Sequence, residues 1–260
     1  MNWIEANGGG TRYAVDSDGP VPLVLIHEMG GALESWAPLL PLVAKGRTVL
    51  RYDMRGFGDA SKLRGAGIMD ELVCDLVALL DALSIIEPAD LCGMAVGGAV
   101  ALHVAARHPE RVRRLALMGP ALGIAPERRD AVRARADALE AGGMASIADG
   151  ELALTYPKVL RDDGRFATYR ARWLGNDPSS YAATYRMLAA LDSGPALAAV
   201  RCPALLLAGA HDPLRPPGIV AGAAAAIARA RFEVVPSGHV MAHQSPDLVA
   251  QQLDAFWRAA

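Results

Sequence analysis

The chain alternates short apolar runs with amphipathic segments over most of its length. The apolar runs predict buried strands at residues 22–26, 48–52, 89–92, 114–118, 204–208 and 232–235. In the segments between them, apolar side chains recur at helical spacing, as at Leu72, Leu76 and Leu79. These segments predict helices at residues 34–44, 69–83, 97–107, 217–230 and 246–259. Strands that alternate with helices of this length predict an α/β fold with a mostly parallel central sheet and helices on both faces.

One region breaks the alternation. Residues 120–196 have helical patterns without a strand, are rich in Ala, Arg and Glu, and are interrupted at Gly142-Gly143 and Asp177-Pro178. An inserted helical cap, or lid, between two strands of the sheet explains this pattern. We therefore predict an α/β core formed by residues 1–119 and 197–260, with the lid at residues 120–196.

Composition narrows the class of protein. The chain has 260 residues, of which 52% are apolar, and a formal net charge of −2 without a basic stripe, which argues against a nucleic-acid partner. The N-terminal residues lack the pattern of a secretory signal, and no apolar run approaches the roughly 20 residues that span a bilayer. Cys74, Cys92 and Cys202 are widely spaced and form no metal-type pair. We expect a reduced, cytoplasmic protein.

The first candidate for chemistry is Gly93-Met-Ala-Val-Gly97, between a predicted strand and a predicted helix. The nucleophile elbow has the form G-x-S-x-G in this setting. Its glycines permit a sharp turn that lifts the central residue above the sheet at a helix N-terminus. The central residue here is Ala95, whose methyl group cannot attack a substrate. The alternative is an ordinary glycine-containing turn from strand to helix.

A second candidate is His27-Glu-Met-Gly-Gly31, directly after a predicted strand. Glycines at that place let the backbone turn and expose its amides. Beside an elbow, the amides of Met29 and Val96 would converge as an oxyanion hole. The alternative is a simple turn at the end of a strand.

Asp212 and His239 each follow a late predicted strand, in the loops where open α/β sheets place their sites. Taken alone, Asp212 could be a turn residue next to Pro213. His243 lies four residues beyond His239, but no third ligand accompanies the pair, so we expect no metal. The order of elbow, acid and histidine is that of a catalytic triad.

These motifs carry a resemblance to a known family. Val24-Leu-Ile-His27, Tyr52-Asp-Met-Arg-Gly-Phe-Gly58, His108-Pro-Glu-Arg-Val112 and Gly209-Ala-His-Asp212 resemble signatures of the α/β-hydrolase superfamily over nearly the full chain. Within it, the chain is most similar to the 3-oxoadipate enol-lactonase branch. The resemblance implies a serine at position 95, a His239 that takes its proton and an Asp212 that orients the imidazole. It implies no cofactor and no metal.

Three interpretations of Ala95 remain open. In the first, the chain is an engineered serine-to-alanine variant of a working hydrolase, because the rest of the site is intact. In the second, the His–Asp dyad works naturally without a nucleophile, as a lyase or a cofactor-free oxygenase. In the third, the fold has become a non-catalytic small-molecule binding protein. Cys92 is predicted to lie inside the strand, so we do not expect its thiol to replace the serine.

The predicted lid offers a hypothesis about the substrate. Arginines and aromatic residues cluster there: Arg161, Arg165, Tyr169, Arg170, Arg172 and Trp173. We predict that Arg170 clamps a carboxylate and that Trp173 lines the pocket wall, which suits a small carboxylated ester, lactone or amide. The alternative is that the lid arginines pair with Asp162, Asp163 and Asp177 on a wet surface.

Glu28 is unusual in its turn, where the family often has glycine. We predict that its carboxylate shapes the site or contacts a polar substrate, with a simple surface role as the alternative. We expect the chain to bind only a small molecule, with neither nucleic acid nor membrane as a partner, and to be a monomer or a homodimer.

Overall fold

The computed structural model describes residues 1–65, 68–161 and 164–259. One eight-stranded sheet has the order β1-β2-β4-β3-β5-β6-β7-β8. The strands are β1 Asn2–Ala6, β2 Gly9–Asp16, β3 Pro22–Ile26, β4 Thr48–Tyr52, β5 Ala89–Met94, β6 Val112–Met118, β7 Ala204–Gly209 and β8 Ala230–Val235. Strand β2 runs antiparallel to β1 and β4, and the other pairings are parallel. The predicted fold class is confirmed.

The described α-helices flank the sheet and fill the connection between β6 and β7. They are α1 Leu40–Val43, α2 Met69–Ala82, α3 Val96–Arg107, α4 Arg129–Gly142, α5 Ala148–Thr155, α6 Arg165–Leu174, α7 Pro178–Ala190, α8 Gly194–Ala199, α9 Pro217–Ala225, α10 Met241–Gln244 and α11 Pro246–Ala259. Helix α1 contacts α11, and α3 packs against both α2 and β5. Every residue of β5 and β7 is buried, as expected for central strands with both faces covered.

The N-terminal hairpin of β1 and β2 was missing from the predicted strands. Most of β1 is exposed at the edge of the sheet, so it has no apolar run to mark it. A local signal is nevertheless present: Asn7 and Gly8 have φ of 50° and 69° and form a two-residue turn between paired Ala6 and Gly9. An Asn-Gly pair with both φ positive is typical of a tight β-hairpin.

Two predicted helices are shorter than their patterns indicate. The segment 34–44 forms a 3-10 turn over Leu33–Trp36 and then α1, because Pro38 and Pro41 lack the amide hydrogens that a continuous helix needs. The segment 217–230 ends at Ala225, since the chain must turn before β8 begins at Ala230.

The described elements of the predicted lid region are helices joined by short loops, with one isolated bridge between Gly123 and Asp192. Helix α4 packs closely on α7, while α8 packs on α3 of the core. The predicted lid limit at residue 196 therefore falls inside α8, and the domain division stays a prediction. Asp162 and Asp163 lie outside the described residues. Among those that are described, no helix has the length and hydrophobicity to cross a membrane.

Candidate active site

Ala95 occupies the sharp turn between β5 and α3, with φ of 52° and ψ of −112°. Its amide donates to the Met118 carbonyl at 2.9 Å, and its own carbonyl accepts from the Ala121 amide at 2.8 Å. A non-glycine residue in such a conformation costs about 1–3 kcal/mol and persists only where its surroundings enforce it. The strained geometry of a nucleophile elbow is therefore present although the residue has no nucleophilic atom.

The two glycines of the elbow are required by close approach of the backbone. A Cβ atom on Gly93 would lie 2.3 Å from the Gly97 carbonyl oxygen, and one on Gly97 would lie 2.1 Å from the Ile26 carbonyl oxygen. Both distances are far inside van der Waals contact. The predicted elbow is thus packed as tightly as its sequence pattern indicates.

Gly97→Ala is expected to destabilise the fold by about 3 kcal/mol, because the new methyl group must push the end of β3 away from α3. Urea unfolding monitored by circular dichroism measures this. Gly98→Ala is the matched control, since its Cβ would meet Pro120 Cβ at 3.1 Å and needs only a small adjustment. Equal losses of stability in the two variants would contradict the tight contact between the elbow and β3.

Asp212 and His239 form a hydrogen-bonded dyad. His239 Nδ1 donates to Asp212 Oδ2 at 2.8 Å, and Asp212 Oδ1 accepts from the amides of Leu214 and Arg215 at 2.8 and 3.0 Å. Burial on its own raises the pKa of the Asp212 carboxyl, but His239 and the two amides outweigh it and hold this pKa below its usual value. With Nδ1 bound to a carboxylate, Nε2 keeps the lone pair that a general base needs.

The turn after β3 places Met29 beside Ala95, Val96 and His239 on the wall of one cavity. Its position is fixed by His27, whose Nε2 accepts from the Met54 amide at 2.9 Å and whose Nδ1 donates to the Glu28 carbonyl at 2.7 Å. Burial lowers the pKa of His27, which keeps the ring neutral in these two bonds. The loop can therefore present the Met29 amide at a defined place.

The cavity lies between the sheet and the lid and has a volume of about 170 Å³. That volume has room for on the order of ten water molecules, the scale of a small organic molecule. Three tyrosines of the lid line it: Tyr169, Tyr181 and Tyr185. Its charged lining residues are Glu28, Arg128, Arg135, Glu151 and Arg215.

The predicted substrate residues of the lid do not line this cavity. Arg170 is exposed to solvent on α6. Trp173 is fully buried and donates from Nε1 to the Tyr181 hydroxyl at 2.9 Å, so Tyr181 covers it. The physical reason is helix periodicity: Tyr169 and Trp173 share the inward face of α6, whereas Arg170 is rotated about 100° away from Tyr169. The prediction that Arg170 and Trp173 face the substrate pocket is therefore wrong for this cavity.

The arginines that do reach the cavity come from other elements. Arg135 pairs with Glu151, whose other oxygen accepts from the Tyr185 hydroxyl at 2.6 Å. Arg128 and Arg215 form no ion pair with a carboxylate in the part of the chain that the structure describes. Sequence reasoning missed them, although Arg215 stands only three residues after Asp212.

Within the described residues, the alternative pairing of lid arginines with Asp177 is not found either. Asp177 pairs with Arg64 at 2.7 Å and accepts from the Ser180 amide at the start of α7. Arg161 instead donates to the carbonyls of Tyr156 and Leu152.

Two other sources of chemistry have no support at this site. Cys92 is buried inside β5, and burial raises the pKa of its thiol, so it does not supply a thiolate near Ala95. Within residues 1–65, 68–161 and 164–259, no group of three or more His, Cys, Asp or Glu is placed to hold a metal ion.

A family model described as alpha/beta hydrolase fold matches residues 21–246, and the chain therefore belongs to this family. The 3-oxoadipate enol-lactonase 1 of Acinetobacter baylyi is 27% identical over 259 residues, which cover 96% of this chain and 94% of that protein. The crystal structure of the enol-lactonase from Burkholderia xenovorans LB400 is similar with a TM-score of 0.92 at 28% identity, covering 99% of this chain and 100% of that one. The predicted resemblance to the enol-lactonase branch is confirmed.

A more similar but shorter match is with the 2-hydroxymuconate semialdehyde hydrolase of Pseudomonas sp. (strain CF600). It is 46% identical over 110 residues, which are 41% of this chain and 38% of that protein. The chain thus aligns with about two fifths of the length of that relative. Family and fold together place the chain in the class of proteins with the alpha/beta hydrolase fold.

Proposed function

We propose that the cavity is the active site of a hydrolase for small carboxylated esters, lactones or amides, built for an acyl-enzyme mechanism that needs serine at position 95. One observation carries the proposal. His239 is hydrogen bonded to Asp212 through Nδ1, which leaves Nε2 free to act as a base. It lines the same cavity as Ala95, whose backbone has the strained conformation of a nucleophile elbow. Strained backbone of this kind is typical of functional sites.

With serine at position 95, the hydroxyl oxygen attacks the substrate carbonyl while His239 Nε2 takes its proton. The amides of Met29 and Val96 stabilise the oxyanion. His239 then protonates the leaving group, and the same base activates the water that hydrolyses the acyl-enzyme. Ala95 cannot perform the first of these steps, but the groups for the other steps are in place. This supports a serine-to-alanine replacement in an otherwise working site.

Arg215 and Arg128 support an anionic substrate. The Arg215 side chain is fixed by two hydrogen bonds that it donates, from Nε to the Pro120 carbonyl at 3.1 Å and from Nη1 to the Leu214 carbonyl at 2.7 Å. Burial lowers the pKa of Arg215, Asp212 opposes this, and the like charge of Arg128 adds to the lowering. Because Asp212 is committed to His239 and two amides, a substrate carboxylate is the partner that this pair of arginines lacks.

In the Ala95→Ser chain, Arg215→Gln is expected to raise KM for 4-nitrophenyl hemisuccinate about tenfold or more, since a charge-assisted hydrogen bond is lost. KM for 4-nitrophenyl butyrate, which has the same acyl-chain length without the carboxylate, should change little. Initial rates at 400 nm, taken at roughly pH 7, measure both constants.

Arg170→Gln is the matched control, because Arg170 is exposed and away from the cavity. It should leave both KM values within about twofold of the parent. An equal rise for the charged and the neutral ester in Arg215→Gln would contradict a carboxylate site there. Binding of the hemisuccinate without cleavage in the Ala95→Ser chain would favour the small-molecule binding protein instead.

A further inference from the structure

A polar side chain of the lid is hydrogen bonded to the turn after β3. Asn176, in the connection between α6 and α7, donates from Nδ2 to the Gly30 carbonyl at 2.9 Å. The same nitrogen lies 3.1 and 3.0 Å from the carbonyls of Arg172 and Trp173 at the end of α6. Because all three neighbours are acceptors, the amide nitrogen of Asn176 faces them, and not its oxygen. One side chain therefore joins the end of a lid helix to a loop of the core.

The lid also packs directly on Gly30. This glycine is buried and has φ of 79°, and a Cβ atom on it would lie 2.9 Å from Tyr181 Cε2 and 3.1 Å from Trp173 Cδ1. Trp173 in turn donates to the Tyr181 hydroxyl, which fixes the two rings to one another. The backbone at Gly30 is thus enclosed by α6, α7 and the segment that joins them.

Two peptide units in series connect this contact to the proposed oxyanion donor. The unit that carries the Gly30 carbonyl also carries the Gly31 amide, which donates to the Glu28 carbonyl at 3.0 Å. The unit of that carbonyl carries the Met29 amide, which donates to no backbone carbonyl among the described residues. A hydrogen bond accepted by a carbonyl polarises the N–H of the same unit. Donation by Asn176 therefore strengthens each N–H along this chain and ends at the Met29 amide.

We infer that Asn176 is a positioning residue, through which the lid fixes and polarises the Met29 amide for the oxyanion of the reaction. The inference rests on the proposed hydrolase function, since that function gives the Met29 amide its role. From the core side, His27 Nδ1 donates to the Glu28 carbonyl at 2.7 Å. Core and lid each supply one anchor for residues 28–31, so the oxyanion hole reaches its full strength only with the lid seated on the core.

Asn176 also caps α6, through the carbonyls of Arg172 and Trp173, and the two roles have different consequences. Loss of the cap loosens α6, whose Tyr169 lines the cavity, and so weakens the binding of intact substrate. Loss of the bond to Gly30 acts on the transition state, because only there does the carbonyl oxygen carry the charge that the Met29 amide stabilises. The affinity for substrate and the rate of turnover therefore distinguish the cap from the anchor.

The test introduces Asn176→Ala into the Ala95→Ser chain. kcat for 4-nitrophenyl hemisuccinate should fall about tenfold, since one of two oxyanion donors is displaced rather than removed. The Ki of phenylboronic acid, whose tetrahedral adduct with the serine places an oxygen in the oxyanion hole, should rise by a similar factor. Calorimetry on the Ala95 chain, which forms no acyl-serine, should give a Kd for the ester that Asn176→Ala changes by no more than about twofold.

Arg64→Gln is the matched control. Arg64 joins the core to Asp177, the residue after Asn176, at 2.7 Å, but it is exposed and its hydrogen bonds go to Asp177 and the Leu63 carbonyl. This variant should leave kcat and Ki at the parent values. Asn176→Asp keeps the size of the side chain and sets a carboxylate oxygen against the Gly30 carbonyl, so it should lower kcat at least as far as Asn176→Ala. Thermal unfolding checks that every variant folds.

Hydrogen exchange in the Ala95 chain, followed by mass spectrometry, gives a readout that needs no hydrolysis. Asn176→Ala should speed up exchange in residues 28–31, because the Gly31 amide loses its support, and Arg64→Gln should not. Unchanged exchange in this turn, an unchanged kcat, or a Kd that rises as far as kcat falls would each overturn the inference.

The inference and the proposed function fail separately. If the Ala95→Ser chain does not hydrolyse the ester, the proposed function fails, and exchange in residues 28–31 then decides alone. Faster exchange there in Asn176→Ala supports the coupling of lid and loop, and unchanged exchange overturns it.

Discussion

Ala95→Ser is expected to raise kcat for 4-nitrophenyl hemisuccinate by at least about 10³-fold. The loss of a triad nucleophile reduces turnover by up to about 10⁶, of which binding and the oxyanion hole retain part. The serine would enter a backbone turn that Ala95 already adopts at φ 52°, beside a dyad that is already hydrogen bonded. Because the turn and the dyad are already formed, the gain should approach that of restoring the missing step alone.

Steady-state rates measure this gain, and pre-steady-state kinetics with excess substrate and labelling by a fluorophosphonate probe test its cause. The Ala95→Ser chain should show a burst of nitrophenol and a stoichiometric covalent adduct on position 95. Ala95→Gly is the control, because it changes the same strained position without adding a nucleophile. If serine raises neither the rate nor the labelling, then the elbow is not the place of covalent catalysis, and the lyase, oxygenase and binding interpretations of Ala95 regain weight.

The arrangement of the elbow, Asp212 and His239 could be predicted from the sequence because each part is encoded locally. Asp212 and His239 each follow an apolar strand, and the parallel sheet brings the ends of such strands to one edge. The elbow is encoded by Gly93 and Gly97, whose missing side chains are a direct condition of its packing. Order along the chain and position after a strand were therefore sufficient to bring these residues together.

The substrate side of the cavity could not be predicted in the same way. Arg170 and Trp173 are close in sequence to Tyr169, but which face of α6 turns inward depends on how α6 packs in the lid. Arg135 and Glu151 come from different helices and meet only through tertiary packing. Sequence spacing contains no information on such contacts, so composition predicted arginines in the lid but not which of the arginines reach the cavity.

For Glu28, the sequence and the structure each supply part of the description. Its sequence position next to Met29 marked it as unusual, and burial in the cavity removes the alternative of a simple surface role. What the sequence could not provide is its hydrogen bonding: one oxygen accepts from Ser35, and the other is buried without a donor among the described residues.

Asp212→Asn in the Ala95→Ser chain is expected to lower kcat by about 10³- to 10⁴-fold at neutral pH with little loss of stability. The asparagine oxygen can still accept from the amides of Leu214 and Arg215, so its amide nitrogen faces His239 Nδ1. That nitrogen donates, which forces the ring proton onto Nε2 and removes the lone pair that must take the serine proton. Stopped assays of the ester and urea unfolding separate the two effects.

The pH dependence of this variant distinguishes a wrong tautomer from a collapsed site. Hydroxide can replace the disabled base, so the residual rate of Asp212→Asn should continue to rise with pH where the parent levels off. Asp192→Asn is the matched control, because Asp192 is exposed and its side chain bonds only to the nearby Gly194 amide among its described contacts. A pH-independent residual rate, or a large fall in stability, would mean that Asp212 mainly holds the loop after β7, and the dyad would then not explain the chemistry.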